Sequence, residues 1–249
     1  MIKIIAHRGA NKVAPQNTMP AFTLAKEMGA DGFENDVHYT SDGHIVICHN
    51  HSINETSNGS GLILEMTLEQ LRQYDFGSYF SPEYAGTKIP TLNEFFALAK
   101  GLSLINVEIK RPLNGNYDVV GGVIQMAKNM DVFHDLIISS FDEQVLIKAK
   151  EIDENCKTGF LYDMKSPHID EIVEDPVAYA KSLNAQAIHP VFLMITEELI
   201  QSAHENGIIV NAWTVNMPES IKTLTLWGCD GLITDIPDFC IKQVKQLKS

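Results

Sequence analysis

Gly32-Phe33-Glu34-Asn35-Asp36-Val37 places two carboxylates in one short apolar run. In a β-strand successive side chains alternate sides, so Glu34 and Asp36 share a face. Asn35 then faces outward and matters little. Two neighbouring carboxylates repel each other, and burying them unpaired is costly. Something positive must sit between them, and a hard divalent cation held by oxygen ligands is the simplest candidate. Glu108-Ile109-Lys110 ends a later apolar run and supplies a third carboxylate with the same geometry. Only Arg8 and Lys110 offer nearby positive side chains as the alternative.

Working outward, short apolar runs recur with helical runs between them. They are Ile4 to His7, Gly32 to Val37, Leu104 to Lys110, Leu136 to Ser140, Thr158 to Tyr162, Gln186 to His189, Ile208 to Thr214 and Gly231 to Thr234. Such runs suit parallel strands covered by helices. An extra run, His44 to His49, follows the turn Ser41-Asp42-Gly43 and pairs antiparallel with its predecessor. Capping boxes open helices at Thr67 and Thr91, and Asp142 and Thr196 cap two more. Alternating β/α units in 249 residues predict a (β/α)₈ barrel, with a doubly wound open sheet as the runner-up. No G-x-G-x-x-G follows the first strand, which counts against the dinucleotide-binding version. Residues 50–90 are too long for an ordinary connection, and they read as a small inserted subdomain within a single domain spanning 1–249.

Chemically able residues collect at the C-terminal ends of these runs, where barrels of this type carry their active sites. The ends hold His7-Arg8, Glu34 to Asp36, His49, Glu108 and Lys110, Ser139-Ser140, His189, Asn211 and Trp213, and Thr234-Asp235. A lone carboxylate in a strand is more often salt-bridged than metal-binding, but three together weaken that reading. His7 and His49 follow buried runs and are read as an acid/base pair. His189 is either a pocket wall or a satisfied core residue. His38, His44, His51, His134, His168 and His204 are read as surface or loop residues. Trp213 is more often core than binding wall, and its place at a strand end shifts that balance. Ser139 and Ser140 lack a G-x-S-x-G setting, so they are not read as nucleophiles.

Composition bounds the partners. Apolar residues make up 45% of the chain, ample for a core, and the formal net charge is -13. That charge argues against nucleic acid, and an anionic substrate would need a local positive centre. Cys48, Cys156, Cys229 and Cys240 show no C-x-x-C spacing and read as reduced thiols of a cytoplasmic protein. The apolar opening Met1 to Ala6 is too short for a signal peptide or a membrane span, and no stable membrane insertion is expected.

These residues resemble the glycerophosphodiester phosphodiesterase family. The match starts at Ala6-His7-Arg8-Gly9 and Ala14-Pro15-Gln16-Asn17-Thr18. It continues through Gly29 to Val37, Thr40-Ser41-Asp42-Gly43, His49 and Val107-Glu108-Ile109-Lys110. Ser139-Ser140-Phe141, Trp213 to Asn216 and Asp230 to Pro237 complete it, so the resemblance runs the length of the chain in order. It implies a (β/α)₈ barrel with an insertion after the second strand and one divalent cation, Mg²⁺ or Ca²⁺. By motif matching Glu34, Asp36 and Glu108 become metal ligands, and His7 and His49 the acid/base pair. Arg8 and Lys110 hold the phosphate, and Trp213 lines the pocket for the glycerol end. The chain departs from the family in having Gln16 and Asn50 where carboxylates are usual. The implied reaction is hydrolysis of a glycerophosphodiester to sn-glycerol 3-phosphate and an alcohol. Alternatives are a lysophospholipase D or sphingomyelinase D-like phosphodiesterase, or a non-catalytic phosphodiester-binding barrel. A homodimer is one option for the assembly state, and either histidine can serve as the acid.

Overall fold

Eight parallel strands close on themselves, and one antiparallel strand hangs on the outside. The computed structural model describes residues 2–247, so Met1 of the apolar opening lies outside them. The strands are β1 (Lys3–His7), β2 (Gly32–Tyr39), β3 (Ile45–Ile47), β4 (Leu104–Ile109), β5 (Leu136–Ser140), β6 (Lys157–Tyr162), β7 (Ala187–Pro190), β8 (Ile209–Ala212) and β9 (Gly231–Thr234). The helices are α1 (Met19–Glu27), α2 (Leu68–Leu71), α3 (Leu92–Ala99), α4 (Asp118–Asn129), α5 (Glu143–Ile152), α6 (Ile169–Glu174), α7 (Pro176–Ser182), α8 (Glu197–Glu205), α9 (Pro218–Leu226) and α10 (Pro237–Leu247). β1 pairs with β2 through Ile5 and Gly32 and with β9 through Lys3 and Gly231. That double pairing closes the barrel and excludes the open doubly wound sheet.

Alternation along the strands sorts the side chains. Ile5, Leu104, Ile137 and Ile233 fill the lumen with Trp213 above them. Their neighbours Phe33, Val107 and Ile138 face outward onto α1, α3, α4 and α5. Phe22 of α1 meets Phe95 of α3 edge to face at 4.8 Å, and both meet Phe33. On the other half Phe160, Ile188, Val210 and Leu232 pack under α7 to α10. Asn35 does face outward as the register requires, but into this packed layer. It is fully buried, and its amide atoms have no hydrogen-bond partner among the described residues.

The capping signals work as read. Thr67 and Thr91 form reciprocal capping boxes, and Asp142 and Thr196 accept from Gln144 and Leu199 backbone N–H groups. Each such cap stabilises its helix by about 1 kcal/mol. Segment 50–90 has its own small core of Ile53, Ile63, Leu71, Phe76 and Ile89, closed against Val46 and Cys48. The Tyr84 hydroxyl donates to the Val13 carbonyl at 2.8 Å and ties this segment to the loop after β1. All four cysteines are buried free thiols.

Three strands, β2, β3 and β8, differ from the sequence expectation by two residues at one end, and β1, β4, β6 and β7 by one residue at an end. β8 stops at Ala212, and Trp213 beyond it makes only an isolated bridge to Val191. The extra strand is confined to Ile45–Ile47. β2 runs on to Tyr39 because those three residues pair with it, His38 opposite Val46. His38 is therefore buried on a strand rather than lying on the surface or in a loop.

Candidate active site

Strand register assembles the carboxylates. Asp36 on β2 is the Cα partner of Glu108 on β4, and Glu34 is the partner of His7 on β1. All three carboxylates point into the barrel mouth and are buried. One oxygen from each lies within 4.8 Å of the others. Two cations reach them. Lys110 Nζ sits 2.8 Å from Asp36 Oδ1 and 2.5 Å from Glu108 Oε1, while Arg8 Nε lies 3.3 Å from Asp36 Oδ2. Asn17 Nδ2 donates to Asp36 Oδ2 at 2.8 Å.

Three buried carboxylates against two cations leave negative charge to spare. Asp36 takes most of the compensation. Burial alone would raise its pKa, but Lys110 and Arg8 outweigh that and hold it below the usual carboxylate range. Burial pushes Glu34 well above that range, and the Asp36 charge adds to the effect. Glu108 rises to about 7, again through burial first, with Lys110 opposing. A hard divalent cation fits this donor set, because it supplies the missing positive charge to oxygen ligands already gathered.

His7 is held by a residue to which the sequence reading assigned no role. Asp235, just past β9, accepts from His7 Nδ1 at 2.6 Å, and also from Asn11 and Asn216 side-chain amides at 2.6 and 2.7 Å. Asp235 stays ionised, since these hydrogen bonds outweigh its burial. The His7 proton therefore sits on Nδ1, and Nε2, 3.9 Å from Glu34 Oε2, presents its lone pair to the site. Burial lowers the His7 pKa, and the Asp235 hydrogen bond only partly offsets it. His49, just past β3, is brought down to about 4 by burial, with the Asp36 charge opposing. The His38 ring approaches the His49 carbonyl at 3.4 Å and so lies beneath the segment carrying His49. Sequence offered a signal for Asp235, since it closes a strand end, but no spacing rule links it to a histidine 228 positions away. Asn17 was equally invisible, because its partner Asp36 reaches it only through the fold.

Arg8 adopts a positive φ of 57°, followed by Gly9 at 81°. A Cβ on Gly9 would lie 2.6 Å from the Ala21 backbone, so only glycine lets the start of α1 pack against this turn. Arg8 Nη1 donates to Gln16 Oε1 at 2.7 Å, and Asn50 Nδ2 donates to Glu55 Oε2 at 2.7 Å. The two neutral departures are thus both hydrogen-bonded.

His7, Arg8, Glu34, His49, Glu108, Lys110 and Trp213 line one cavity of about 190 Å³, with Asp36 buried behind Lys110. Trp213 Nε1 donates to the His189 carbonyl at 2.6 Å, and its ring stands edge to face with Phe141. Trp213 is a wall of the cavity. His189 is a core residue: its ring is fully buried and Nε2 accepts from Asn211 Nδ2 at 3.0 Å. Ser139 and Ser140 are buried and serve neighbouring groups, Asn106 and the Ile109 carbonyl. His44, His134, His168 and His204 are exposed, as read, and His51 is half-buried against the His38 ring.

A parallel barrel carrying acid/base groups and a carboxylate cluster at its C-terminal mouth defines a barrel enzyme. Comparison with known proteins narrows that class. Residues 7–239 match the glycerophosphoryl diester phosphodiesterase family. A glycerophosphodiester phosphodiesterase of Caldanaerobacter subterraneus subsp. tengcongensis is 35% identical over 244 residues, covering 98% of each chain. The crystal structure of a putative glycerophosphoryl diester phosphodiesterase from Silicibacter pomeroyi superposes with a TM-score of 0.91 at 26% identity, over 100% of this chain and 94% of that one. An Oleispira antarctica phosphodiesterase, solved in complex with the product sn-glycerol-3-phosphate, superposes at 0.87 with 27% identity, over 98% and 96% of the two chains. The chain belongs to the glycerophosphoryl diester phosphodiesterase family and is an enzyme, a phosphoric diester hydrolase. Among the described residues no helix is long and apolar enough to cross a membrane.

Proposed function

We propose that this chain hydrolyses glycerophosphodiesters to sn-glycerol 3-phosphate and an alcohol, with one divalent cation, Mg²⁺ or Ca²⁺, held by Glu34, Asp36 and Glu108. The observation that carries the reading is a single cavity lined by Glu34 and Glu108, two neutral histidines and two cationic side chains, with Asp36 behind Lys110. Arg8 and Lys110 meet the phosphate. A bound cation supplies charge stabilisation to the phosphoryl oxygens. His7, with Nδ1 committed to Asp235, exchanges a proton at Nε2. Burial keeps both rings neutral in the substrate-free site, and the phosphate charge favours protonating the ring beside the leaving oxygen. One ring then takes the proton of the nucleophile, and the other protonates the departing alkoxide. Trp213 packs against the glycerol end.

Small deacylated diesters suit the site better than lipids. The cavity of about 190 Å³ lies below the several hundred typical of pockets for larger ligands. Most large apolar side chains of segment 50–90 turn inward to its own core rather than toward the mouth. A groove of about 360 Å³ shares Glu108, Lys110 and Phe141 with the cavity and gives the leaving alcohol a path out. The test is turnover of glycerophosphocholine with added Mg²⁺ or Ca²⁺, coupled to detection of glycerol 3-phosphate. Lysophosphatidylcholine serves as the lipid control. Absence of product with either ion, or faster cleavage of the lipid, refutes the reading.

A further inference from the structure

Asn106 lies on β4 two residues before Glu108, so its side chain points into the lumen directly below the carboxylates. Its Cα partner on β2 is Glu34. It is 1% exposed and lines the same cavity as the two histidines. Its amide is anchored at one end, since Nδ2 donates to Ser139 Oγ on β5 at 3.0 Å. The other end is not: Oδ1 is buried with no hydrogen-bond partner among the described residues. Buried acceptors without partners are rare in folded proteins, and one at a ligand cavity points to a group the ligand brings.

The chemistry of that group follows from the surroundings. Oδ1 accepts and cannot donate, so its partner is a donor or a cation; the cation already has three carboxylates gathered for it, which leaves a donor for Oδ1. The oxygens of a diester phosphate carry none, and they belong with Arg8 and Lys110. Leu161 on β6 and Ile233 on β9 line the same cavity from other strands and suit a short carbon chain. A small chain with a hydroxyl satisfies both demands.

We propose that Asn106 recognises the glycerol moiety, its Oδ1 accepting from a free glycerol hydroxyl while Ser139 fixes the amide. This rests on the glycerophosphodiester reading of the site and adds the residue that tells glycerol from other alcohols. A site built to bind a substrate hydroxyl discriminates against the analogue lacking it, because the site's own buried polar group is then left unpaired.

The test compares sn-glycerol 3-phosphate with n-propyl phosphate, which keeps the phosphate and three carbons but has no hydroxyl. Calorimetry with Mg²⁺ or Ca²⁺ present reads both affinities. Wild type should bind the glycerol compound about ten- to hundredfold more tightly, and Asn106→Leu should erase the margin by weakening that compound alone. Equal affinities in wild type, or a margin that survives in Asn106→Leu, overturns the proposal. Should Asn106→Leu not fold, Ser139→Ala replaces it: loss of the anchor should narrow the margin, and an unchanged margin overturns the anchored acceptor. Glycerophosphocholine turnover is read in parallel on wild type. Its absence beside an intact margin sinks the proposed reaction but not the hydroxyl recognition, so the two failures are distinguishable.

Discussion

Replacing His189 by glutamine should make the protein's stability less sensitive to acid by a definite amount. The His189 ring is fully buried in the barrel, and burial depresses its pKa to about 3. In the unfolded chain the value returns to about 6.5. Between these two values the unfolded chain binds the proton and the folded one does not. His189 therefore leaves stability untouched above neutral pH and lowers it as pH falls through 6.5 toward 3. At pH 5.0 the loss is about 2 kcal/mol, at roughly 1.4 kcal/mol per pH unit. At that pH the magnitude depends almost entirely on the unfolded pKa, provided the folded value lies well below 5. Glu34 and Glu108 act in the opposite sense: their raised folded pKa values add stability as pH falls through them. They are present in both proteins, so they cancel in the difference. His189→Gln keeps an acceptor for Asn211 Nδ2 and leaves some empty volume above Gly159, whose absent Cβ makes room for the ring. That packing loss is constant with pH. Urea unfolding at pH 7.5 and 5.0 should therefore show wild type losing about 2 kcal/mol more than the variant over this interval. Curves that stay parallel within about 0.5 kcal/mol would refute a neutral buried imidazole at His189.

Other outcomes follow from the site. His7→Ala and His49→Ala should each lower kcat by about 10²- to 10⁴-fold with an unchanged far-UV spectrum, and near wild-type rates in either would remove that ring from the proton transfers. Asp235→Asn, which exchanges the carboxylate holding His7 Nδ1 for an amide, should lower kcat about a hundredfold with little change in KM, as steady-state kinetics would show. Stripping with EDTA should abolish turnover, and restoring Mg²⁺ or Ca²⁺ at a hundred times its Kd should raise stability by about 2.7 kcal/mol; a melting temperature indifferent to both ions argues against the carboxylate site. Asn17→Ala removes the 2.8 Å hydrogen bond to Asp36 and should weaken ion affinity about 10- to 100-fold, measured by titration of the stripped protein.

The local chemistry of this chain was legible because it is written in short spacings. Glu34 and Asp36 share a face by alternation alone, and the apolar runs that end in polar residues mark one mouth of a barrel. Helix starts at Thr91 and Asp142 depend on side chains within three positions, so sequence determined them. Longer reach needed the fold. Barrel closure is a pairing of β1 with both β2 and β9, and nothing local in Ile4 to His7 distinguishes it from the central strand of an open sheet. His38 went astray because three residues of β3 extend β2 and bury it. Asp235 became the partner of His7 only when closure set the last strand beside the first. Sequence by itself thus determined which side chains face inward and what chemistry they carry. The tertiary structure decided which of them touch, because contacts across the barrel depend on register and closure, which are properties of the whole sheet.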